Sequence, residues 1–311
     1  MLSAISFPGL GIQIDPSPVA FTVFGKDIYW YGIIIAFGFI MAYVYMSANC
    51  RRYGLTQDHV IDLLLWAIPI GLVCARIYYV VFNWSLYREN PISALYMWEG
   101  GMAIYGGVLG GMLGILIYSR IKRIPCPVLY DLSAFGVLIG QIFGRWGNFM
   151  NREAHGGETD SFLRMGLVEG GVLRYYHPTF LYESLWNLVG LILMHRLSKK
   201  RKFDGQMALT YFLWYGLGRA WIEGLRTDSL YLFGTGIRVS QLLAMLFVVF
   251  SLAAFFYVFK KKNPTEETLF VNRPAAAVEP EAGEAQTAAP EEEAEEKEET
   301  AEAAEKEEEN G

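Results

Sequence analysis

Three arginines stand inside or at the ends of apolar stretches, at positions 76, 145 and 219. A guanidinium in the middle of a membrane-crossing helix costs about 2.5–3.5 kcal/mol on insertion scales, so it faces a bundle interior or a wet cavity and usually marks a site. Arg145 sits in the run Gly144-Arg145-Trp146-Gly147-Asn148-Phe149-Met150-Asn151-Arg152-Glu153. Arg145 and Asn148 are three apart and share a face if the helix continues. A guanidinium beside an amide is a donor set suited to phosphate or ester oxygens. Gly147 leaves room for a ligand to approach the backbone. The second cluster is Tyr215, Arg219 and Glu223, four apart and therefore one stripe of a helix, with Arg226 extending it. Arg219 and Glu223 can pair, and the stripe reads equally well as an ion pair locking two helices.

Three weaker candidates complete the set. Arg76 reads either as a functional cation or as a side chain snorkelling to a headgroup. Tyr105, between Gly100-Gly101 and Gly106-Gly107, reads either as a hydroxyl offered to a cavity or as an interfacial tyrosine. His177, in His177-Pro178-Thr179-Phe180-Leu181-Tyr182-Glu183, is a candidate base, although a histidine at a helix start near a membrane is more often structural. The other histidines, 59, 155 and 195, are scattered, and Cys50, Cys74 and Cys126 form no metal or redox spacing. No GxSxG, HExxH or Walker loop occurs. Neither a metal nor a cofactor is expected.

The elements that must hold these residues are apolar. Of the 311 residues 53% are hydrophobic and 19% charged, against roughly 25% charged in an ordinary soluble domain. Residues 264–311 hold 17 of the 32 acids and 3 of the 26 bases, which leaves 15 acids and 23 bases in residues 1–263. The low pI therefore belongs to the tail. This distribution disfavours a soluble enzyme, a nucleic-acid binder and a disulfide scaffold, and it points to an integral membrane protein. No secretory leader pattern opens the chain.

A spanning helix needs about 20 mostly apolar residues. Seven such stretches are expected, near 28–48, 60–82, 101–119, 128–148, 179–196, 207–222 and 238–259. Alternate connections carry 13 bases against 7 on the other side, which puts the N-terminus outside and the C-terminus in the cytoplasm. The fold class expected is an all-α integral membrane protein with seven transmembrane helices. Residues 1–262 form the membrane domain, with an extracytoplasmic segment near 149–178. Residues 263–311 form a disordered Ala/Glu/Pro-rich cytoplasmic tail, too poor in apolar side chains to fold alone. Glycines recur four apart at 106, 110 and 114 and at 136, 140 and 144. Such rows let backbones approach closely in lipid, here expected between the third and fourth spans.

The segment GRWGNFMNREAHG at 144–156 resembles the signature of the bacterial prolipoprotein diacylglyceryl transferases. FGKDIYWYGI at 24–33, CARIYYVVFN at 74–83, EGGMAIYGG at 99–107, HPTFLYE at 177–183 and YGLGRAWIEGLR at 215–226 are similar to the other blocks of that family, in order. The resemblance covers residues 8–262. It implies a multi-pass enzyme of the bacterial plasma membrane. The implied reaction moves the diacylglyceryl group of phosphatidylglycerol onto the lipobox cysteine of a preprolipoprotein, forming a thioether and releasing glycerol phosphate. The implied partners are phosphatidylglycerol, the preprolipoprotein lipobox segment and the bilayer, with no nucleic acid. The implied catalytic residues are Tyr105, Arg219 and Glu223. Those implied for binding phosphatidylglycerol are Arg145, Asn148, Tyr31, Glu153, Gly156 and Tyr215.

The chain departs from the family pattern at Tyr105, where many members carry a histidine assigned as general base. A tyrosine with a pKa near 10 is a poor base at neutral pH. Arg145 and Arg219 are expected to clamp the phosphate, with Asn148 as a further donor. Glu223 either orients Arg219 or accepts the thiol proton, and Glu153 shapes the outer mouth. The competing readings are a membrane lipid or solute transporter, against which no inverted repeat is visible, and a membrane scaffold acting through its tail.

Overall fold

Helices form along the apolar runs, and two small antiparallel sheets form where the runs stop. The structure is a computed structural model, and it describes residues 4–227, 229–232 and 235–273. Among these residues lie seven long helices: α1 (Trp30–Asn49), α2 (Gln57–Phe82), α3 (Ile104–Ile121), α4 (Cys126–Met150), α5 (Thr179–Ser198), α6 (Gln206–Leu225) and α7 (Val239–Lys261). Their positions match the seven expected stretches to within a few residues. Five of them, α1 to α4 and α7, are long and apolar enough to cross a membrane. Helices α5 and α6 are equally able by length, at 20 residues each. They are less apolar because they carry Glu183, Asn187, Arg219 and Glu223. Outward-facing side chains such as Leu65, Phe82, Phe250 and Phe256 are exposed, as an apolar belt requires.

The all-α expectation is corrected at one end of the bundle. Strands β1 (Ile5–Phe7), β2 (Ile12–Ile14), β5 (Met165–Glu169) and β6 (Val172–Tyr176) form a four-stranded sheet in the order β2-β1-β5-β6, while β3 (Val19–Val23) and β4 (Lys26–Tyr29) form a hairpin. The reason is alternation. Ile5 and Phe7 point to the same face and are buried with Met165, Leu167, Tyr176 and Phe149. Gly170 and Gly171, at φ +58° and +83°, make the tight turn between β5 and β6. A third of the 149–178 segment is thus strand, and it is tied to the N-terminal residues.

The glycine rows pack helices, but not the pair expected. A Cβ on Gly110 would lie 2.7 Å from the Ile70 carbonyl oxygen, and one on Gly114 would lie 2.8 Å from Ala67 Cα. The α3 row therefore seats against α2. The α4 row meets α1, where Gly136 faces Met46 and Gly144 faces Ile35. Helices α5 and α6 are joined by a reciprocal lock. The indoles of Trp186 and Trp214 stack at 4.4 Å, and each ring N–H donates to the other residue's carbonyl, at 3.0 and 2.9 Å. Gly218 and Gly190 lie under the two rings and leave space for them.

At the end away from the sheets, the fully buried Asp131 accepts from the Gly205 and Ala208 N–H groups, both at 2.9 Å, and so caps α6. Arg201 lies 3.6 Å from Asp131 and from Asp204, and 4.1 Å above the Tyr53 ring. The tail expectation is corrected at its beginning. Residues Glu266–Thr268 and Phe270–Asn272 form two short turns, Leu269 is buried, and the Phe270 N–H donates to Asp204 at 2.9 Å. One compact unit runs to Asn272. The rest of the acidic tail, from residue 274, lies outside the described residues.

The packing predicts that Gly110→Val destabilises the bundle by about 1–3 kcal/mol, the usual cost of overpacking. The readout is a lowered thermal unfolding midpoint in detergent. Gly111→Ala is the control, because a Cβ there meets nothing within 4 Å, and its midpoint will not fall.

Candidate functional site

The site is built where α4, α5 and α6 converge near the sheets. Glu183, in the second turn of α5, is 3% exposed and lies between two arginines. Its Oε1 is 2.7 Å from Arg145 Nη2 on α4, and its Oε2 is 3.1 Å from Arg219 Nη1 on α6. Arg219 Nη2 is in turn 2.7 Å from Glu223 Oε2, one turn along its own helix. The two cations and two carboxylates sum to zero, which makes burial tolerable. Each guanidinium carries five N–H donors in a plane. The contacts named use only part of that set.

Arg145 Nη1 donates to Asn148 Oδ1 at 3.2 Å, so the pairing expected from the spacing is made. Asn148 Nδ2 donates to Glu153 at 3.0 Å, and Asn151 donates to the same oxygen at 3.2 Å. Glu153 sits in a turn where Arg152 and Ala154 both have positive φ, +57° and +58°. That backbone is strained for residues with a side chain. It is held by the Gly156 N–H donating to His177 O, the Gly157 N–H donating to Leu225 O, and the Thr179 hydroxyl donating to Ala154 O. Gly156 serves this stitching. A Cβ there would lie 2.7 Å from His177 Cβ and 2.9 Å from Leu225 O, so its contribution is close backbone approach.

Tyr31, at the start of α1, lays its ring across Gly147, where an added Cβ would be 2.7 Å from the ring, so the space expected for a ligand at Gly147 is taken by Tyr31. This places Tyr31 beside the turn of α4 that carries Arg145 and Asn148. Tyr215 stacks on Tyr211 at 5.6 Å and lies within electrostatic reach of Glu183, Arg219, Arg145 and Tyr105. The Tyr105 hydroxyl is 3.5 Å from Ser240 Oγ on α7, within electrostatic reach of Arg219 and Tyr215. Tyr105 therefore approaches the site from α3, on the Arg219 side.

Two arginine candidates fall elsewhere. Arg76 is buried, and it donates to the carbonyls of Ser93, Ala94, Tyr96, Gly100 and Gly101. It neither snorkels nor reaches the site; it ties down the 91–101 loop. Arg226 does not extend the stripe, because α6 ends at Leu225 and Arg226 is extended. It pairs as a bridge with Gly156. Arg238, at the start of α7, instead donates to the Glu223 carbonyl. His177 packs 3.4 Å from the Tyr182 hydroxyl, and burial holds its pKa below the usual histidine value.

Residues 18–257 match the sequence model of the family described as prolipoprotein diacylglyceryl transferase. The chain belongs to that family. It is 42% identical over 268 residues to the phosphatidylglycerol–prolipoprotein diacylglyceryl transferase of Lysinibacillus sphaericus, covering 83% of this chain and 98% of that one. It is 44% identical over 250 residues to the enzyme of the same name from Clostridioides difficile, covering 80% and 98%. The relative from Listeria welshimeri is 41% identical over 267 residues, covering 82% and 95%.

In this member of the prolipoprotein diacylglyceryl transferase family, the residue missed as a site candidate is Glu183. The signal was present, since a carboxylate stands in an otherwise apolar α5 and needs a partner from another helix. What the sequence lacks is the distance: Arg145 and Arg219 are 38 and 36 residues away.

Removing Glu183 leaves two guanidiniums facing each other. Glu183→Leu is expected to cost about 3–5 kcal/mol, the usual range for breaking a buried pair. A double-mutant cycle with Arg145→Met will be less than additive, measured by chemical unfolding in micelles. His177 supplies a pH test. Its depressed folded pKa means the unfolded chain binds the proton more readily, so its share of stability is full above about pH 6.5 and falls as the pH drops below that. Unfolding midpoints of wild type and His177→Gln between pH 7.5 and 5 check the sign.

Proposed function

We propose that this chain transfers the diacylglyceryl group of phosphatidylglycerol to the lipobox cysteine of preprolipoproteins in a bacterial plasma membrane. The observation that carries the reading is the Arg145–Glu183–Arg219 bridge, a cationic pair held in a low-dielectric bundle next to Asn148 and Tyr105. The relatives at about 40% identity are named for this transfer. In this reading all seven helices span the bilayer. The N-terminus and the sheets are outside, a reading supported by the surplus of bases on the opposite connections. The sheet end then faces the side on which preprolipoproteins expose their cysteine.

The thiolate sulfur attacks the glycerol carbon that bears the phosphate. A C–S bond forms, the C–O bond breaks, and its electron pair leaves on glycerol phosphate. The donor phosphodiester carries one negative charge. The released monoester carries roughly −1.5 to −2, because its second pKa is near 6. Charge therefore grows on the phosphate oxygens, and donors fixed in advance stabilise that growth more than they stabilise the bound donor. Arg145 and Arg219 fill this role, with Asn148 beside them. Glu183 holds both guanidiniums at one carboxylate, and Glu223 orients Arg219.

Cations around the incoming cysteine lower its pKa, and the monoester product is itself a sink for the thiol proton. Tyr105, whose hydroxyl rests on Ser240, is assigned to positioning rather than to proton abstraction. Tyr31, Tyr215, Glu153 and Gly156 shape the donor's surroundings. A transporter of lipid or solute is the competing class, and it makes no covalent product.

The test uses purified protein in nanodiscs containing phosphatidylglycerol and a synthetic lipobox peptide, read by mass spectrometry. Wild type will form the diacylglyceryl thioether, with glycerol phosphate released in equal amount. Arg145→Ala will lower turnover by about 10²–10³-fold, the range for losing one preorganised donor. Tyr105→Phe will lose less than Arg145→Ala. A folded wild type that moves donor lipid between leaflets without adduct overturns the reading in favour of transport.

A further inference from the structure

One turn inward from the bridge, the same three helices each present another polar side chain. Gln141 precedes Arg145 by four on α4, Asn187 follows Glu183 by four on α5, and Tyr215 precedes Arg219 by four on α6. Spacing of four keeps each pair on one helix face, about one turn of 5.4 Å apart. Because α5 runs against α4 and α6, all three steps lead the same way, from the sheet end toward the middle of the bundle. Tyr211, one turn deeper on α6, accepts from Gln141 Nε2 at 2.9 Å, which joins the α4 and α6 faces.

This layer is not satisfied by the protein. Asn187 is 0% exposed, and neither its Oδ1 nor its Nδ2 has a hydrogen-bond partner among the described residues. Gln141 Oε1 is buried and equally without one. An orphaned buried amide is costly, and native proteins resolve it with water or a ligand. The neighbouring small polar residue on α5, Ser184, is engaged by the Ile142 carbonyl and so does not serve Asn187.

We infer that Asn187 and Gln141 form a subsite for a small hydroxyl group that donates and accepts at once, lying directly behind the Arg145–Glu183–Arg219 bridge. Asn187 Nδ2 donates to its oxygen, and Asn187 Oδ1 or Gln141 Oε1 takes its proton. Two sources share this chemistry: an ordered water, or a free hydroxyl of the glycerol headgroup of phosphatidylglycerol, which hangs on the same phosphate that the arginines are assigned to hold. The inference rests on the proposed transfer reaction for its second source only. In the first case the water steadies Glu183 and the amides. In the second the subsite distinguishes a glycerol headgroup from one without hydroxyls.

The experiment compares wild type with Asn187→Leu, of similar volume, in nanodiscs. Donors are phosphatidylglycerol and phosphatidylpropanol, which keeps the charged phosphodiester and lacks headgroup hydroxyls. Asn187→Leu keeps the side-chain volume, and its unfolding midpoint in nanodiscs is read first to establish that it folds. It is expected to transfer from phosphatidylglycerol about tenfold more slowly, the value of one good hydrogen bond. If the loss is confined to phosphatidylglycerol, the headgroup hydroxyl is the occupant. If both donors slow equally, the occupant is water. If Asn187→Leu is stable and transfers from both donors at wild-type rates, the subsite is overturned. Gln141→Met is read the same way should leucine at 187 prevent folding. Wild type forming no adduct with phosphatidylglycerol overturns the transfer reading instead. The water form of the subsite then stands or falls on ordered density between Asn187 and Gln141 in a diffraction map.

Discussion

The molecule turns on one carboxylate shared by two guanidiniums. Glu183 takes Arg145 on one oxygen and Arg219 on the other, so three helices meet at a single side chain. A buried charge is tolerated only when its partners are close and well directed, which makes the spacing of α4, α5 and α6 a tight constraint. Much of the remaining architecture meets it. The Trp186–Trp214 lock, with Gly190 and Gly218 beneath its rings, fixes α5 against α6. Asp131 joins the far end of α4 to the first turn of α6. The α3 glycines seat that helix on α2, which brings Tyr105 to the site's edge against α7.

What was legible in the sequence follows the range of each interaction. Arg145 with Asn148, and Arg219 with Glu223, lie within one helical turn, and spacing alone exposes them. The helices were legible because apolar runs of spanning length have few other uses. Glu183 was visible as an anomaly but not as a hub, since periodicity assigns a residue to a face and does not name the helix opposite. The glycine rows show the same limit. They announced close packing correctly, and the partner was wrong because α2 and α1, not the consecutive pair α3 and α4, accept the rows.

The sheets escaped for a different reason. Strands of three to five residues such as Ile5–Phe7 and Val172–Tyr176 carry too few alternations to stand out, and their pairing joins positions about 160 residues apart, as Ser6 opposite Gly166. The residues just past α7 escaped because composition was read over the whole acidic tail. Leu269 and Phe270 are a small apolar island, and they dock where Asp204 and Gly54 receive them.

Arg76 carries a consequence for the order in which the chain is assembled. Its guanidinium satisfies carbonyls of Ser93, Ala94, Tyr96, Gly100 and Gly101, all of them synthesised after α2. Until that stretch has been made, the Arg76 guanidinium lacks the carbonyls that satisfy it in the finished fold. Until α2 is in place, the stretch has no template on which to fold. Each therefore completes the other: a charge on the helix sets the loop's conformation, and the loop's carbonyls satisfy that charge.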